Sequence, residues 1–173
     1  MRVLVTYVSP HGSTRGIAER LAMRLRDGGL FVDCLPIHET ESIADYDAVV
    51  VGSAIHGQAW LSEASQFLST HADELIVKPV WLYSVGMPGA LPRPLRKFAM
   101  REGPKAVAPF VDMVRPRDTR LFSGVVSKQQ FPALSRGILR LMGGRYGDFR
   151  NWPDIDAWGA SIRDDLLERT RSA

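Results

Sequence analysis

Five short apolar segments recur along the chain with the length and spacing of buried β-strands. They are residues 3–8, 31–37, 48–55, 80–85 and 121–126. The third is continuously apolar, which is typical of a parallel strand covered on both faces. Apolar residues between the segments recur at helical spacing. The pattern therefore predicts alternating strands and helices around one sheet.

Four stretches have the period of amphipathic helices. The first carries Ile17, Leu21 and Leu25 and stops at Gly28 and Gly29, which is a common signal for a helix end. The others are predicted at residues 64–75, 104–114 and 153–170. Residues 86–104 are rich in proline and glycine, so they predict a long loop after the fourth strand.

Right-handed connections between these elements give one doubly wound sheet with helices on both faces. A βα unit at the N-terminus and five parallel strands favour the flavodoxin-like, three-layer α/β fold with strand order 2-1-3-4-5. The 173 residues form one predicted domain, 1–173, because no repeat or linker divides them. Ligands of such sheets bind beyond the carboxyl ends of the strands. The loops after strands one, three, four and five therefore form the candidate site.

The loop after the first strand has the composition of a phosphate cradle. Hydroxyl groups, free backbone N–H groups and the positive end of a helix dipole attract phosphate, and glycine permits close approach. From the loop alone, an ordinary helix cap by Ser13 or Ser9 remains the alternative. The pattern is neither G-x-x-x-x-G-K-[ST] nor G-x-G-x-x-G, so P-loop and dinucleotide sites are not predicted. The loop reads Ser9, Pro10, His11, Gly12, Ser13 and Thr14.

Residues 8–14 resemble the flavodoxin phosphate-loop signature [ST]-x-[ST]-G-x-[ST], with His11 at a position that usually carries a hydroxyl. The wider pattern resembles the flavodoxin-type, quinone-dependent protoporphyrinogen dehydrogenases over nearly the full length. This resemblance implies FMN as the cofactor. The further residues that carry it are Asp45-Tyr46-Asp47, Val49-Val50-Val51-Gly52-Ser53-Ala54-Ile55, Phe67-Leu68 with His71, Tyr83-Ser84-Val85, Ser123-Gly124-Val125, Gly143-Gly144 and Trp158.

The resemblance also implies which residues contact FMN. Trp60 either stacks on the isoalloxazine ring or packs at the start of the next helix. No residue is predicted to be catalytic, because the flavin supplies the redox chemistry, and Cys34 and the four histidines lack metal-ligand spacing. The predicted contacts are Ser9, His11, Gly12, Ser13 and Thr14 for the phosphate, Ser53, Ala54, Ile55, His56, Gly57 and Trp60 beside the ring, and Ser84, Val85, Gly86 and Met87 at its pyrimidine edge.

Residues 86–150 hold 13 basic and 4 acidic side chains, a balance of +9. Such a block attracts acidic proteins, anionic lipid or a carboxylate-bearing substrate, or it is simply a solvated face. Within it, apolar residues at helical spacing lie beside Arg136 and Arg140. They form a helix that lies on an anionic membrane surface or covers the flavin, an ordinary helix that covers the sheet, or a contact with a second subunit. These apolar residues are Phe131, Leu134, Ile138, Leu141 and Met142.

We expect a cytoplasmic protein, with peripheral membrane contact as an open alternative, because no apolar stretch approaches the ~20 residues of a spanning helix. The first functional hypothesis is an FMN oxidoreductase of the protoporphyrinogen or quinone type. The alternatives are a non-enzymatic electron carrier and a deazaflavin-binding or flavin-free relative. Carrier flavodoxins are usually acidic around the flavin because they dock on basic partners, and the pI near 9.3 argues against docking of that kind. The predicted partners are small-molecule or protein electron donors and acceptors rather than nucleic acid, and the oligomeric state is not predicted.

Overall fold

A computed structural model describes residues 1–130 and 133–172. Short 3-10 turns lie at Ile37–Glu39, Pro88–Ala90 and Lys128–Gln130. The strands and helices, in chain order, are β1 (Arg2–Val8), α1 (Ser13–Asp27), β2 (Phe31–Pro36), β3 (Ala48–His56), β4 (Ala59–Trp60), α2 (Ser62–Thr70), α3 (Ala72–Leu75), β5 (Val80–Gly86), α4 (Arg93–Val114), β6 (Asp118–Ser123), β7 (Val125–Val126), α5 (Ala133–Leu141), β8 (Gly147–Asp148) and α6 (Trp152–Ser172).

Five parallel strands form the central sheet in the order β2-β1-β3-β5-β6. This confirms the predicted order 2-1-3-4-5, since β5 and β6 are the fourth and fifth of the predicted strands. The short strand β4 turns back antiparallel on the end of β3. Its turn consists of Gly57 and Gln58, which both have positive φ angles (58° and 68°). The apolar pattern of the sequence does not predict this hairpin.

Helices cover both faces of the sheet, so the three-layer fold is confirmed. On one face α1 and α6 bury Ile17, Leu21 and Ile162 against the strands. On the other face α2 and α4 bury Phe67 and Phe110. The side chains of β3 alternate between the two cores, which explains its continuously apolar sequence.

The predicted loop at 86–104 is wrong over most of its length, because α4 begins at Arg93. Pro94 lies in the first turn of α4, where a missing N–H removes no helical hydrogen bond. The helix continues through Pro104, which the sequence analysis took as a helix start. Ala106, Val107 and Phe110 are buried against the sheet. This tertiary packing favours helix despite the proline content.

The fifth strand also differs from its prediction at 121–126. In the structure it starts at Asp118, because an edge strand tolerates the polar residues 118–120 that the apolar pattern left out. It ends at Ser123, and Val125–Val126 pair instead with Gly147–Asp148 in a separate two-stranded sheet. We call residues 125–148 the insertion. It packs on the loop after β5 through a small cluster centred on Ala90, Val126 and Leu139.

The remaining helices follow the predictions closely. The helix at 64–75 is present as α2 and α3, which are separated at His71. The helix at 131–142 is present as α5, and Phe131 lies outside the described residues. Leu134, Ile138, Leu141 and Met142 are exposed, whereas Leu139 is buried. In the part of the chain that the structure describes, no helix is long and apolar enough to cross a membrane.

Candidate cofactor site

The candidate residues share one edge of the sheet. Val8, Ser53 and Ser84 are register partners in β1, β3 and β5. The residues that follow each of them therefore leave the sheet side by side, at its carboxyl edge. This is the position where doubly wound sheets bind their ligands.

The loops after β1, β5 and β6 are tied together by hydrogen bonds. The Val125 N–H donates to Ser13 Oγ at 2.9 Å, and the Gly89 N–H donates to Ser123 Oγ at 2.9 Å. At Gly124 a Cβ atom would lie 2.8 Å from Val85 Cγ1 and 3.0 Å from Ser13 Cβ. Only glycine therefore allows the insertion to begin this close to the first loop.

Several backbone donors in the first turn of α1 have no acceptor in the part of the chain that the structure describes. Gly12 has φ 83°, a left-handed conformation that favours glycine. Ser9 Oγ accepts the N–H of Arg15 at 3.1 Å, and the Gly12 carbonyl accepts the N–H of Gly16 at 3.0 Å. Among the described residues, no group accepts the N–H groups of Gly12, Ser13 and Thr14. The helix dipole adds positive charge at the same end.

Thr14 is the unusual side chain of this turn. It is 1% exposed, and its Oγ1 has no hydrogen-bond partner within the described chain. Its carbonyl accepts the hydroxyl of Tyr83 at 3.3 Å. Burial raises the pKa of Tyr83 well above its usual value, so this phenol remains a donor. Tyr83 thus anchors the turn from below, a role that the sequence analysis missed because the two residues are 69 positions apart.

The serine hydroxyls at the ends of β3 and β5 make hydrogen bonds within the protein, beneath the loops. Ser53 is buried, donates to the Ala54 carbonyl at 2.9 Å and accepts the Leu61 N–H at 3.2 Å. Trp60 is 5% exposed, and its Nε1–H donates to Ser84 Oγ at 2.8 Å. Its ring packs on Phe110, with 5.3 Å between centroids. Trp60 is therefore packed between β5 and α4, just before α2 begins, and its contact with the isoalloxazine ring stays a prediction.

The accessible part of the edge is narrower than the predicted contact set. His11 and Gly12 are exposed in the first loop, and His56 and Gly57 are exposed in the hairpin. The half-buried residues are Ser9, Ser13, Ala54, Ile55, Gly86 and Met87, and the buried ones are Thr14, Ser53, Trp60, Ser84 and Val85. Arg15, in the first turn of α1, pairs with Glu19 at 2.8 Å, so its charge is compensated within the helix.

Fold and site together define a flavodoxin-type protein, and the chain belongs to the flavodoxin domain family, whose model matches residues 4–148. The protoporphyrinogen IX dehydrogenase [quinone] of Escherichia coli strain K12 is 33% identical over 89 residues. That match spans 50% of this chain and about half of the curated relative (49%).

Two solved structures show the same fold at low identity. A flavodoxin from the domain Archaea has a TM-score of 0.64 and 14% identity over 96% of this chain and 99% of its own. The rubredoxin oxygen:oxidoreductase of Desulfovibrio gigas has a TM-score of 0.65 and 17% identity over 98% of this chain and 37% of its own. In the second protein the similarity therefore covers one part of a longer chain.

Proposed function

We propose that this chain binds FMN at the carboxyl edge of its sheet and acts as a flavodoxin-like oxidoreductase. The observation that carries the proposal is the buried hydroxyl of Thr14 beside the N–H groups of residues 12–14, none of which has a partner among the described residues. Buried polar groups nearly always have a partner, and an unpaired one costs about 1–3 kcal/mol. A phosphate ester at this turn satisfies these donors together. The residues present therefore fit the phosphate of FMN.

The proposed contacts divide between the phosphate and the ring. His11, Gly12, Ser13 and Thr14 face the phosphate, and Ser9 holds the turn by capping Arg15. Trp60 and Ser84 support the ring site from beneath through their hydrogen bond, and Ser53 supports it through its hydrogen bonds with Ala54 and Leu61. The residues proposed to line the ring are Ala54, Ile55, His56, Gly57, Val85, Gly86 and Met87. FMN supplies the electron transfer when bound, and the protein supplies binding and orientation.

We propose a porphyrinogen-like or quinone-type substrate, following the name of the Escherichia coli relative. The charge of the chain supports this, since the basic block of residues 86–150 suits a carboxylate-bearing molecule. Helix α5 supports peripheral contact with anionic lipid, where such a substrate would be found. Its exposed Arg136 and Arg140 accompany Leu134 and Leu141, which are 78% and 90% exposed.

An absorbance spectrum of the purified protein, before and after reconstitution with FMN, tests the cofactor. Flavin bands and saturable binding are expected, whereas a chain that takes up no FMN would overturn the proposal. A preference for deazaflavin would favour the alternative cofactor.

Turnover with porphyrinogen, quinone and nicotinamide substrates then tests the enzyme. Steady flavin-linked turnover is expected. Reduction in two separate one-electron steps without any turnover would favour the electron carrier instead.

A further inference from the structure

Arg150 lies against the second turn of α1, close to the phosphate loop. Its Nη1 is 2.6 Å from the position that a Cβ atom on Gly16 would occupy. The guanidinium stacks over Trp152 at 4.5 Å from the ring centroid, and the side chain is 19% exposed. Glycine is unfavourable inside a helix. Its presence at position 16 is explained by the space that Arg150 occupies.

Asp148 holds this guanidinium in a fixed orientation. Arg150 Nε donates to Asp148 Oδ1 at 2.9 Å, and Nη2 donates to Oδ2 at 2.6 Å. The same hydrogen bonds keep the pKa of Asp148 below its usual value, so this carboxylate stays ionised at neutral pH. Nη1 is the nitrogen turned toward α1.

Asp148 occupies Nε and Nη2 of Arg150, whereas no group among the described residues accepts a hydrogen bond from Nη1. Gly16 is one helical turn from Gly12, to whose carbonyl its N–H donates at 3.0 Å. Nη1 therefore brings a hydrogen-bond donor to the helix end where the dipole is positive. The N–H groups of residues 12–14 lie at that same end and have no acceptor in the described part of the chain. A bound anion would be attracted by all three features together.

We propose that Arg150 is part of the phosphate cradle and makes the site selective for a phosphorylated flavin over an unphosphorylated one. This inference rests on the proposed function. Asp148, the last residue of the insertion, thereby contributes to cofactor recognition by holding Arg150 in place. Gly16 leaves the room that the guanidinium needs.

Titration of FMN and of riboflavin against wild type and Arg150→Gln, followed by flavin fluorescence, tests the inference. Loss of a hydrogen bond to a charged group predicts a Kd for FMN that rises roughly tenfold or more. The Kd for riboflavin is expected to stay the same. Arg163→Gln is the matched control, since Arg163 pairs with Asp164 and packs on Gly28 at the opposite end of α1. It should change neither Kd.

Equal weakening of FMN and riboflavin by Arg150→Gln would indicate a structural role and overturn the inference, as would an unchanged Kd for FMN. Gly16→Ala provides a second variant should Arg150→Gln fail to fold. Alanine displaces the guanidinium but favours the helix, so FMN affinity should fall while Tm does not. An unchanged FMN affinity in this variant counts against Arg150.

The proposed function and this inference fail in different ways. If wild type binds neither flavin, the proposed function is wrong. The rise in Tm that inorganic phosphate causes then tests whether Arg150 binds an anion. Protection that is present in wild type and absent in Arg150→Gln supports the anion role, and equal or absent protection refutes it.

Discussion

Replacing Thr14 with valine should stabilise the free protein and at the same time weaken FMN binding. Valine has nearly the same shape as threonine but lacks the hydroxyl. Thr14 is buried, and its Oγ1 has no partner among the described residues. Because the substitution removes a polar group that the folded chain leaves unsatisfied, it relieves a cost in the free protein. It also removes a donor that the proposed phosphate would use.

The burial of Thr14 and the general cost of an unsatisfied hydroxyl give the size of both effects. A buried hydroxyl without a partner costs about 1–3 kcal/mol, so the free energy of unfolding should rise by roughly that amount. For a chain of this length, each kcal/mol shifts Tm by about 2–4 °C. A lost hydrogen bond to a charged phosphate is worth about 1.5–3 kcal/mol, which weakens FMN binding roughly tenfold to a hundredfold.

Thermal unfolding of the flavin-free protein and fluorescence titration with FMN measure the two effects. Thr6→Val is the matched control. Thr6 is also fully buried, but its Oγ1 lies 3.2 Å from Thr40 Oγ1 and is therefore satisfied. Any gain that comes from added apolar surface alone appears in both variants, and only Thr14→Val should lose FMN affinity. A Thr14→Val protein with lower Tm than wild type and undiminished FMN affinity would refute the reasoning.

Two further predictions concern stability. Gln58→Gly should raise the free energy of unfolding, measured by chemical denaturation, by about 0.5–1 kcal/mol. The left-handed backbone at φ 68° costs a non-glycine residue about 1–2 kcal/mol, and the greater chain entropy of glycine in the unfolded state offsets part of this gain. A free energy of unfolding below that of wild type would contradict the prediction. Hydrogen bonds from Arg24 and Arg20 hold the pKa of Asp156 well below its usual value. Asp156→Asn should therefore be less stable than wild type above the ordinary carboxyl pKa of ~4. Urea unfolding should show that the difference in free energy of unfolding between the two proteins shrinks as the pH falls toward the lowered pKa. A difference that does not change with pH would show that the ion pairs contribute nothing.

The local pattern of apolar residues was enough to predict most of the fold. Some elements depend only on residues that are close together in the sequence. They are the strands at 3–8, 48–55 and 80–85 and the first helix, which ends at Gly28. Their order in the sheet follows from the handedness of the connections. The predictions failed where tertiary packing outweighed composition. These places are the start of α4 at Arg93 and the division of the fifth apolar segment at Gly124.

The features of the candidate site also divide into those that local sequence predicts and those that depend on tertiary contacts. The sequence by itself determined that a glycine- and hydroxyl-rich turn opens α1, because strand, turn and helix start are adjacent in the chain. Only the tertiary structure decided that Trp60 bonds Ser84, 24 residues away, and that Arg150 lies against Gly16. It also decided that Thr14 Oγ1 is buried with no partner among the described residues. A local pattern predicts that a residue is buried or polar. It cannot predict the distant partner, because the folded chain as a whole decides which residues meet.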